Sequence, residues 1–380
     1  MKAFDPARAR RDLPATLDAA YLNAGTFGPL PSACAEAMHS HVDHATQRGR
    51  IGHAGLERWF GSMETARHAF ARSLSCRAED LALMHCTTDG CNTVVWGMDL
   101  AAGDEVVTTT HEHPGLTAPL EELARTRGVV VRACEPNPGA IAAALGPRTR
   151  LVAFSHVLWT TGDVLPVREI AANVATETAG RARVLIDGAQ SVGAIPVDLA
   201  ALGVDAYTVS GQKWLCGPSG TGALWLSPRF LGELATPWPW YLSKSRGPGG
   251  VSEWTTARRL DASTLGMTSL AGLAASLAWH HAHVGAGAHR HANALASRFR
   301  DALRSCGGVE VIEVSSPSQL VSFTVTGHSA GAVSQKLEAA GVLVRPIPGI
   351  DVVRASVGFW NDDTDLDRLL TALAAIVDSP

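Results

Sequence analysis

The chain has 380 residues, 46% of them hydrophobic and 18% charged, with a formal net charge of -4. That balance excludes a disordered or fibrous protein and supports a core large enough for two domains. No basic block is present, which argues against nucleic acid as a partner.

The stretch from Met1 to Asn23 has no apolar core of the kind a secretory signal carries. No apolar run reaches the roughly 20 residues that a membrane helix needs. The seven cysteines are odd in number and form no CxxC pair, so neither a disulfide framework nor a zinc site is suggested. A reducing cytoplasm is the expected location, with no membrane association.

From Leu81 to Leu226, short β-branched runs alternate with helical patterns. The runs are Leu81–Met84, Glu105–Thr109, Val129–Arg132, Arg150–Phe154, Val184–Ile186, Ala206–Val209 and Ala223–Leu226. Gly115–Thr126 and Val167–Thr178 carry helical periodicity between them. Such alternation predicts an α/β fold whose mainly parallel sheet is covered on both faces, with ligands at the carboxyl ends of the strands. Pro237–Gly250, rich in proline, glycine and aromatic residues (Trp238, Trp240, Tyr241), reads as a loop or lid without a regular element. A long helical stretch, Leu265–Arg304, follows. Strands at Val309–Val314 and Leu320–Thr326, a helix at Ala330–Ala340, a further strand pair and a last helix at Thr364–Val377 suggest a smaller α+β domain. The expected division is an N-terminal segment (1–20) packing with the small domain, a large domain (21–250) and a small C-terminal domain (251–380).

Chemistry concentrates at the ends of the predicted strands. The run Val184–Ile186 ends in Asp187, followed by small residues and Gln190. A carboxylate there needs a partner. A pyridinium nitrogen is one candidate, with Ala189 letting a flat ring lie close and Gln190 reaching its phenolic oxygen; a plain helix cap is the other. Further on, Lys213 follows the run Ala206–Val209 and enters a glycine-rich turn, where a desolvated amine can form an imine. Alone it would read as a surface lysine; with Asp187 it reads as a cofactor tether. Ser210 and Gln212 are placed to donate to a phosphate. Thr88, with the backbone amides of Asp89 and Gly90, stands between a strand and a helix, where free N–H groups bind anions or are simply capped. His113, one of 15 histidines, follows the next strand and could stack on a ring or have no role. Arg345 and Arg354 lie in apolar runs and are candidates for gripping a substrate carboxylate or for structural ion pairs. His280, His281, His283, His289 and His291 lack the spacing of a metal site, and no metal is expected.

In this order, the pieces resemble the class V aminotransferase family of fold-type I pyridoxal 5′-phosphate (PLP) enzymes. The resemblance runs from Tyr21-Leu-Asn-Ala-Gly25 to Arg354-Ala-Ser-Val-Gly-Phe-Trp-Asn361 and is most specific around Asp187 and Lys213. It implies a mainly parallel seven-stranded sheet with a smaller α+β domain, and PLP as cofactor. It implies Lys213 as the Schiff-base lysine, Asp187 on the pyridine nitrogen, Gln190 near the phenolic oxygen and His113 over the ring. Thr88, Ser210 and Gln212 would hold the phosphate. Thr264 would reach that phosphate from a neighbouring subunit, which implies a homodimer with shared sites. Arg354 would bind the carboxylate of an amino-acid substrate. Two departures stand out: Gln212 where many relatives carry histidine, and Trp159 where many carry asparagine.

Within the family, Gly90-Cys-Asn-Thr-Val-Val-Trp-Gly97, Glu112-His-Pro-Gly115 and Ser155-His-Val-Leu-Trp159 look most like the cysteine/cystine C–S lyases. That likeness implies β-elimination, with Lys213 as the α-proton base. The pattern also resembles isopenicillin-N epimerase, and an aminotransferase ending is the further alternative. Cysteine desulfurases fit less well, because Gly341–Val353 contains no cysteine. The substrate side chain is expected to meet the Asn23–Phe27 turn, which includes Gly25, together with Trp159 and the Trp238–Tyr241 segment; ordinary packing or dimer contacts are the alternative for Trp238, Trp240 and Tyr241.

Overall fold

The computed structural model describes residues 4–247 and 249–377. All seven strand-like runs form one sheet, each within two residues of its expected bounds. Their spatial order is Leu81–Met84, Gly222–Leu226, Ala206–Ser210, Arg183–Asp187, Thr149–Ser155, Glu105–Thr109 and Val130–Cys134. Gly222–Leu226 runs antiparallel to both its neighbours, and every other pairing is parallel.

Strand periodicity divides the core in two. Val152, Phe154, Val184, Ile186, Tyr207 and Val209 pack in one cluster, while Leu151, Ala153, Leu185, Ala206 and Leu224 pack in the other. Successive side chains leave opposite faces of a strand, so both faces of these central strands are apolar and must be covered. The helix Thr87–Gly97 covers the second face through Cys91, Val94 and Val95. On the same parity as Leu185 and Ala153, this is the face from which Asp187 and Ser155 project.

A second sheet, all antiparallel, has the order Val309–Val311, Leu320–Val325, Val352–Ser356, Arg345–Ile347. Ala286–Arg304, Ala330–Ala339 and Asp363–Val377 pack with it around Phe299, Phe323, Leu337 and Leu369. The N-terminal residues join this unit. Ala20–Tyr21 pairs in parallel with Val342–Leu343, and Arg10 grips Asp365 with bonds of 2.6 and 3.0 Å.

Three expectations need correction. Pro237–Gly250 is not wholly irregular, because Lys244–Gly247 pairs antiparallel with Gly250–Glu253. The stretch Leu265–Arg304 is two helices, Met267–His283 and Ala286–Arg304, separated by the extended residues Val284 and Gly285. The first of these helices buries Leu270, Leu273 and Leu277 in the core of the large sheet, so it packs with that sheet although it lies beyond residue 250. Among the described residues, no helix is long and apolar enough to cross a membrane.

Candidate active site

Asp187 ends its strand and is buried, at 4% exposure. Among the described residues its carboxylate accepts one hydrogen bond, from the Ala189 N–H to Oδ1 at 2.9 Å. No cationic side chain forms an ion pair with it among the described residues, so a buried carboxylate keeps Oδ2 available. This suits a protonated ring nitrogen.

Lys213 lies in the turn after Ala206–Ser210 and is half-buried. Burial pushes its amine down to about 8; Asp187 opposes the shift and Arg354 adds to it, with smaller effects from Cys86 and Arg345. A lysine so placed has far more neutral amine near neutrality than an ordinary one, which is what a nucleophile and proton base needs. The turn is held by the Gly28 N–H donating to the Gln212 carbonyl and the Cys216 N–H to that of Lys213, at 2.8 and 3.0 Å.

The helix Thr87–Gly97 starts beside this turn, and the buried Ser210 Oγ lies 3.5 Å from Thr87 Oγ1. Its first-turn amides, those of Thr87, Thr88 and Asp89, have no carbonyl partner within the helix and can receive an anion, whereas the Gly90 N–H is in place to donate to the carbonyl of the N-cap Cys86. The Asp89 side chain turns away and accepts from the His85 N–H at 3.1 Å, with His85 Nδ1 2.7 Å from the same oxygen. A Cβ on Gly90 would fall 2.6 Å from Thr208 Cγ2, so glycine lets this helix lie against the sheet. The Gln212 Oε1 is buried without a partner.

His113 caps the helix Pro114–Arg127, its Nδ1 accepting from the Gly115 N–H at 3.0 Å. Its ring meets Trp159 edge-on, 4.8 Å between centroids. Desolvation lowers its pKa, followed by Lys213, with Asp187 opposing and Arg354 and Arg345 adding to the shift. His113, Lys213, Asp187, Arg354 and Arg345 therefore share one electrostatic neighbourhood.

Arg354 is 1% exposed, in the middle of its strand. Its Nη1 donates to the Trp159 carbonyl at 2.7 Å, while its Nε and the Trp159 Nε1 are buried with no partner among the described residues. Burial pushes the guanidinium down to about 9, and Arg345 adds to the shift. A buried cation without a counter-charge is costly unless a ligand supplies one.

The Asn23–Phe27 turn closes the site. The Gly25 N–H donates to Ser356 Oγ at 3.1 Å, and the Gly25 carbonyl accepts from Gln190 Nε2 at 2.8 Å. Gln190 Oε1 accepts from Trp214 Nε1 at 2.9 Å, leaving one amide N–H for a ring oxygen. The Asn23 side chain is engaged within the turn, accepting from Thr26 Oγ1 at 2.7 Å. Thr264 is exposed, left-handed at φ 46, and makes no side-chain hydrogen bond among the described residues. Among the five histidines set aside above, His283 and His291 each meet a backbone carbonyl, those of Trp279 and Asn361. Among the described residues no group of three metal-ligating side chains occurs.

One buried group had no assigned role in the sequence. Glu112 accepts from Thr109 Oγ1 at 2.6 Å, Ser155 Oγ at 2.5 Å and Ser155 N at 3.1 Å. The available signal was a carboxylate just past a strand end, immediately before His113.

The family model for class-V aminotransferases matches residues 20–369. Isopenicillin N epimerase of Amycolatopsis lactamdurans is 32% identical, over 93% of this chain and 94% of that one. A probable cysteine desulfurase of Mycolicibacterium paratuberculosis is 29% identical over 99% of this chain, which spans only 59% of that protein's length. Among solved structures, the cystine C-S lyase C-DES with its reaction product cysteine persulfide superimposes with a TM-score of 0.91 at 31% identity, covering 95% of this chain and 99% of that one. A lysine-to-alanine variant of C-DES, with glycine covalently linked to its PLP cofactor, gives 0.92 at 31% identity, covering 96% and 98%. The fold, the Asp187–Lys213 pair and these likenesses together identify the chain as a PLP enzyme of the class-V aminotransferase family.

Proposed function

We propose that this protein is a C–S lyase that eliminates the β-sulfur substituent of cystine or a related cysteine S-conjugate. The observation that carries the reading is the pair Arg354 and Arg345. They face each other on adjacent strands beside Lys213, and neither forms an ion pair among the described residues. One guanidinium suits the α-carboxylate, and the other suits a second carboxylate such as the one at the far end of cystine.

PLP, when bound, supplies an electron sink for negative charge at the substrate α-carbon. Asp187 would hold the ring nitrogen protonated, and His113 would lie against the ring face. Thr88, the Asp89 amide, Ser210 and Gln212 would hold the phosphate. Arg354 fixes the α-carboxylate, and Lys213, as neutral amine, takes the α-proton. For cystine, the Cβ–S bond breaks and the sulfur leaves as cysteine persulfide, and hydrolysis of the remaining fragment gives pyruvate and ammonia. Gly341–Val353 offers no cysteine to accept sulfur, which disfavours a desulfurase ending despite relatives of that name.

Isopenicillin N epimerase at 32% identity supports a second reading, reprotonation of the α-carbon on its other face. The test is incubation of the holoenzyme with cystine and cysteine S-conjugates in deuterium oxide. Pyruvate with persulfide or thiol is the expected result. Deuterium at the α-position without pyruvate would replace elimination with epimerisation.

The proposed functional unit is a homodimer in which the partner copy supplies Thr264 to the phosphate. The exposure of Thr264 and the exposed apolar side chains Ile51, Leu56, Phe60, Trp238 and Tyr241 support it. Mixing Lys213→Ala with Thr264→Val chains should restore up to a quarter of wild-type activity, roughly the share expected for random pairing of chains with partly shared sites.

A further inference from the structure

We propose that Glu112 is a positioning residue: its carboxylate ties the end of strand Glu105–Thr109 to the end of Thr149–Ser155, and thereby fixes His113 against the cofactor ring. The proposal rests on His113 lying at that ring and is independent of whether the reaction ends in elimination.

The geometry is specific. Glu112 is 8% exposed. Both its oxygens are used: Oε1 by Thr109 Oγ1 and Ser155 N, Oε2 by Ser155 Oγ, at 2.6, 3.1 and 2.5 Å. One carboxyl group therefore spans two neighbouring strands with three donors. The next residue in the chain is His113, whose own Nδ1 is committed to the Gly115 N–H. Among the described residues the His113 side chain makes no further hydrogen bond, so beyond its edge-on contact with Trp159 the imidazole takes its place from the backbone that Glu112 anchors.

The clamp also adjoins the ring-nitrogen partner. Ser155 lies opposite Asp187 in the strand register. Glu112 is pushed up to about 7, chiefly by burial, against the pull of Ser155 and Thr109 and with Asp187 adding to the rise. The charged or titratable groups around it are Asp187 from the adjoining strand, Cys91 from the helix Thr87–Gly97, and His111 and His113 from its own loop. An ionised Glu112 therefore adds negative charge near the cofactor's cationic centre.

The test compares Glu112→Ala, Glu112→Gln and His113→Ala as purified proteins reconstituted with PLP. The readouts are PLP affinity, visible circular dichroism of the bound cofactor, and the pH midpoint of its absorbance. Glutamine can keep its oxygen in the place of Oε1, accepting from Thr109 Oγ1 and the Ser155 N–H, and donate its amide N–H to Ser155 Oγ, so Glu112→Gln should hold PLP within about twofold of wild type while its absorbance midpoint falls. Glu112→Ala should weaken PLP about tenfold and reduce the dichroism, and His113→Ala should do the same. If His113→Ala changes these readouts and Glu112→Ala does not, the proposal is overturned. If His113→Ala changes nothing, the placement of His113 at the ring fails first, and Glu112 loses its role with it. Should Glu112→Ala not fold, Ser155→Ala removes one of the three donors, the hydroxyl on Oε2, and should give the same changes to a lesser degree; wild-type readouts there would overturn the clamp.

Discussion

Arg345 and Arg354 stand directly opposite each other on neighbouring antiparallel strands, and the deeper of the two is 1% exposed with its Nε unsatisfied. Two guanidinium groups held this way repel each other, and Arg345 helps to push Arg354 down to about 9. The arrangement is unfavourable for the empty protein and favourable once carboxylate is present. Replacing Arg354 with methionine should therefore lower kcat/KM by about 10²–10³, since a charged hydrogen-bonded pair is lost, while Tm stays level or rises. A Tm drop of many degrees would show that Arg354 is structural. Kinetics and differential scanning calorimetry on the holoenzyme check both halves.

Gly25 tests the same carboxylate site without removing a charge. A Cβ there would fall 2.7 Å from Arg354 Nη2 and 2.9 Å from Ser356 Oγ. Gly25→Ala should displace the guanidinium, raise KM about tenfold or more, and leave PLP affinity nearly unchanged. Titration of PLP into the apoprotein, beside steady-state kinetics, separates the two effects.

Lys213 gives a prediction with a definite sign. In the folded chain its amine is pushed down to about 8, against about 10.4 for an unperturbed lysine. Between these values the unfolded chain binds more protons, so the Lys213 contribution to stability rises with pH through that window. Lys213→Met should remove this rise, seen as a flatter Tm-against-pH curve for the apoprotein above pH 8. The same variant should lose the covalent cofactor absorbance and nearly all activity.

Glu112 shifts the opposite way in charge terms. Its carboxyl is raised from 4.5 to about 7 in the folded chain. Between those values the folded state binds more protons than the unfolded state, so stability falls as pH rises. Glu112→Gln removes that titration, and its Tm relative to wild type should increase from pH 5 to pH 8. A difference that is constant across this range would mean that Glu112 is ionised throughout.

The sequence by itself determined the layered sheet. Its strand runs are apolar on both parities, as at Val184, Leu185 and Ile186, and such runs have no stable place except between two layers. It also pointed to Asp187 and Lys213 as candidates, one ending a strand and the other in the turn after the neighbouring strand, because strand ends are where an α/β sheet presents its ligands. The helix break at Val284–Gly285 was hidden, since helical periodicity continues on either side of it. What tertiary structure decided was which charges are compensated. Arg345 and Arg354 looked equally able to form ion pairs, and only the assembled small sheet leaves them facing each other without an acid. Glu112 looked like a loop carboxylate until strand pairing brought up Ser155, 43 residues further on. Partnership between polar groups depends on distances across the fold, and no local pattern in the chain encodes those distances.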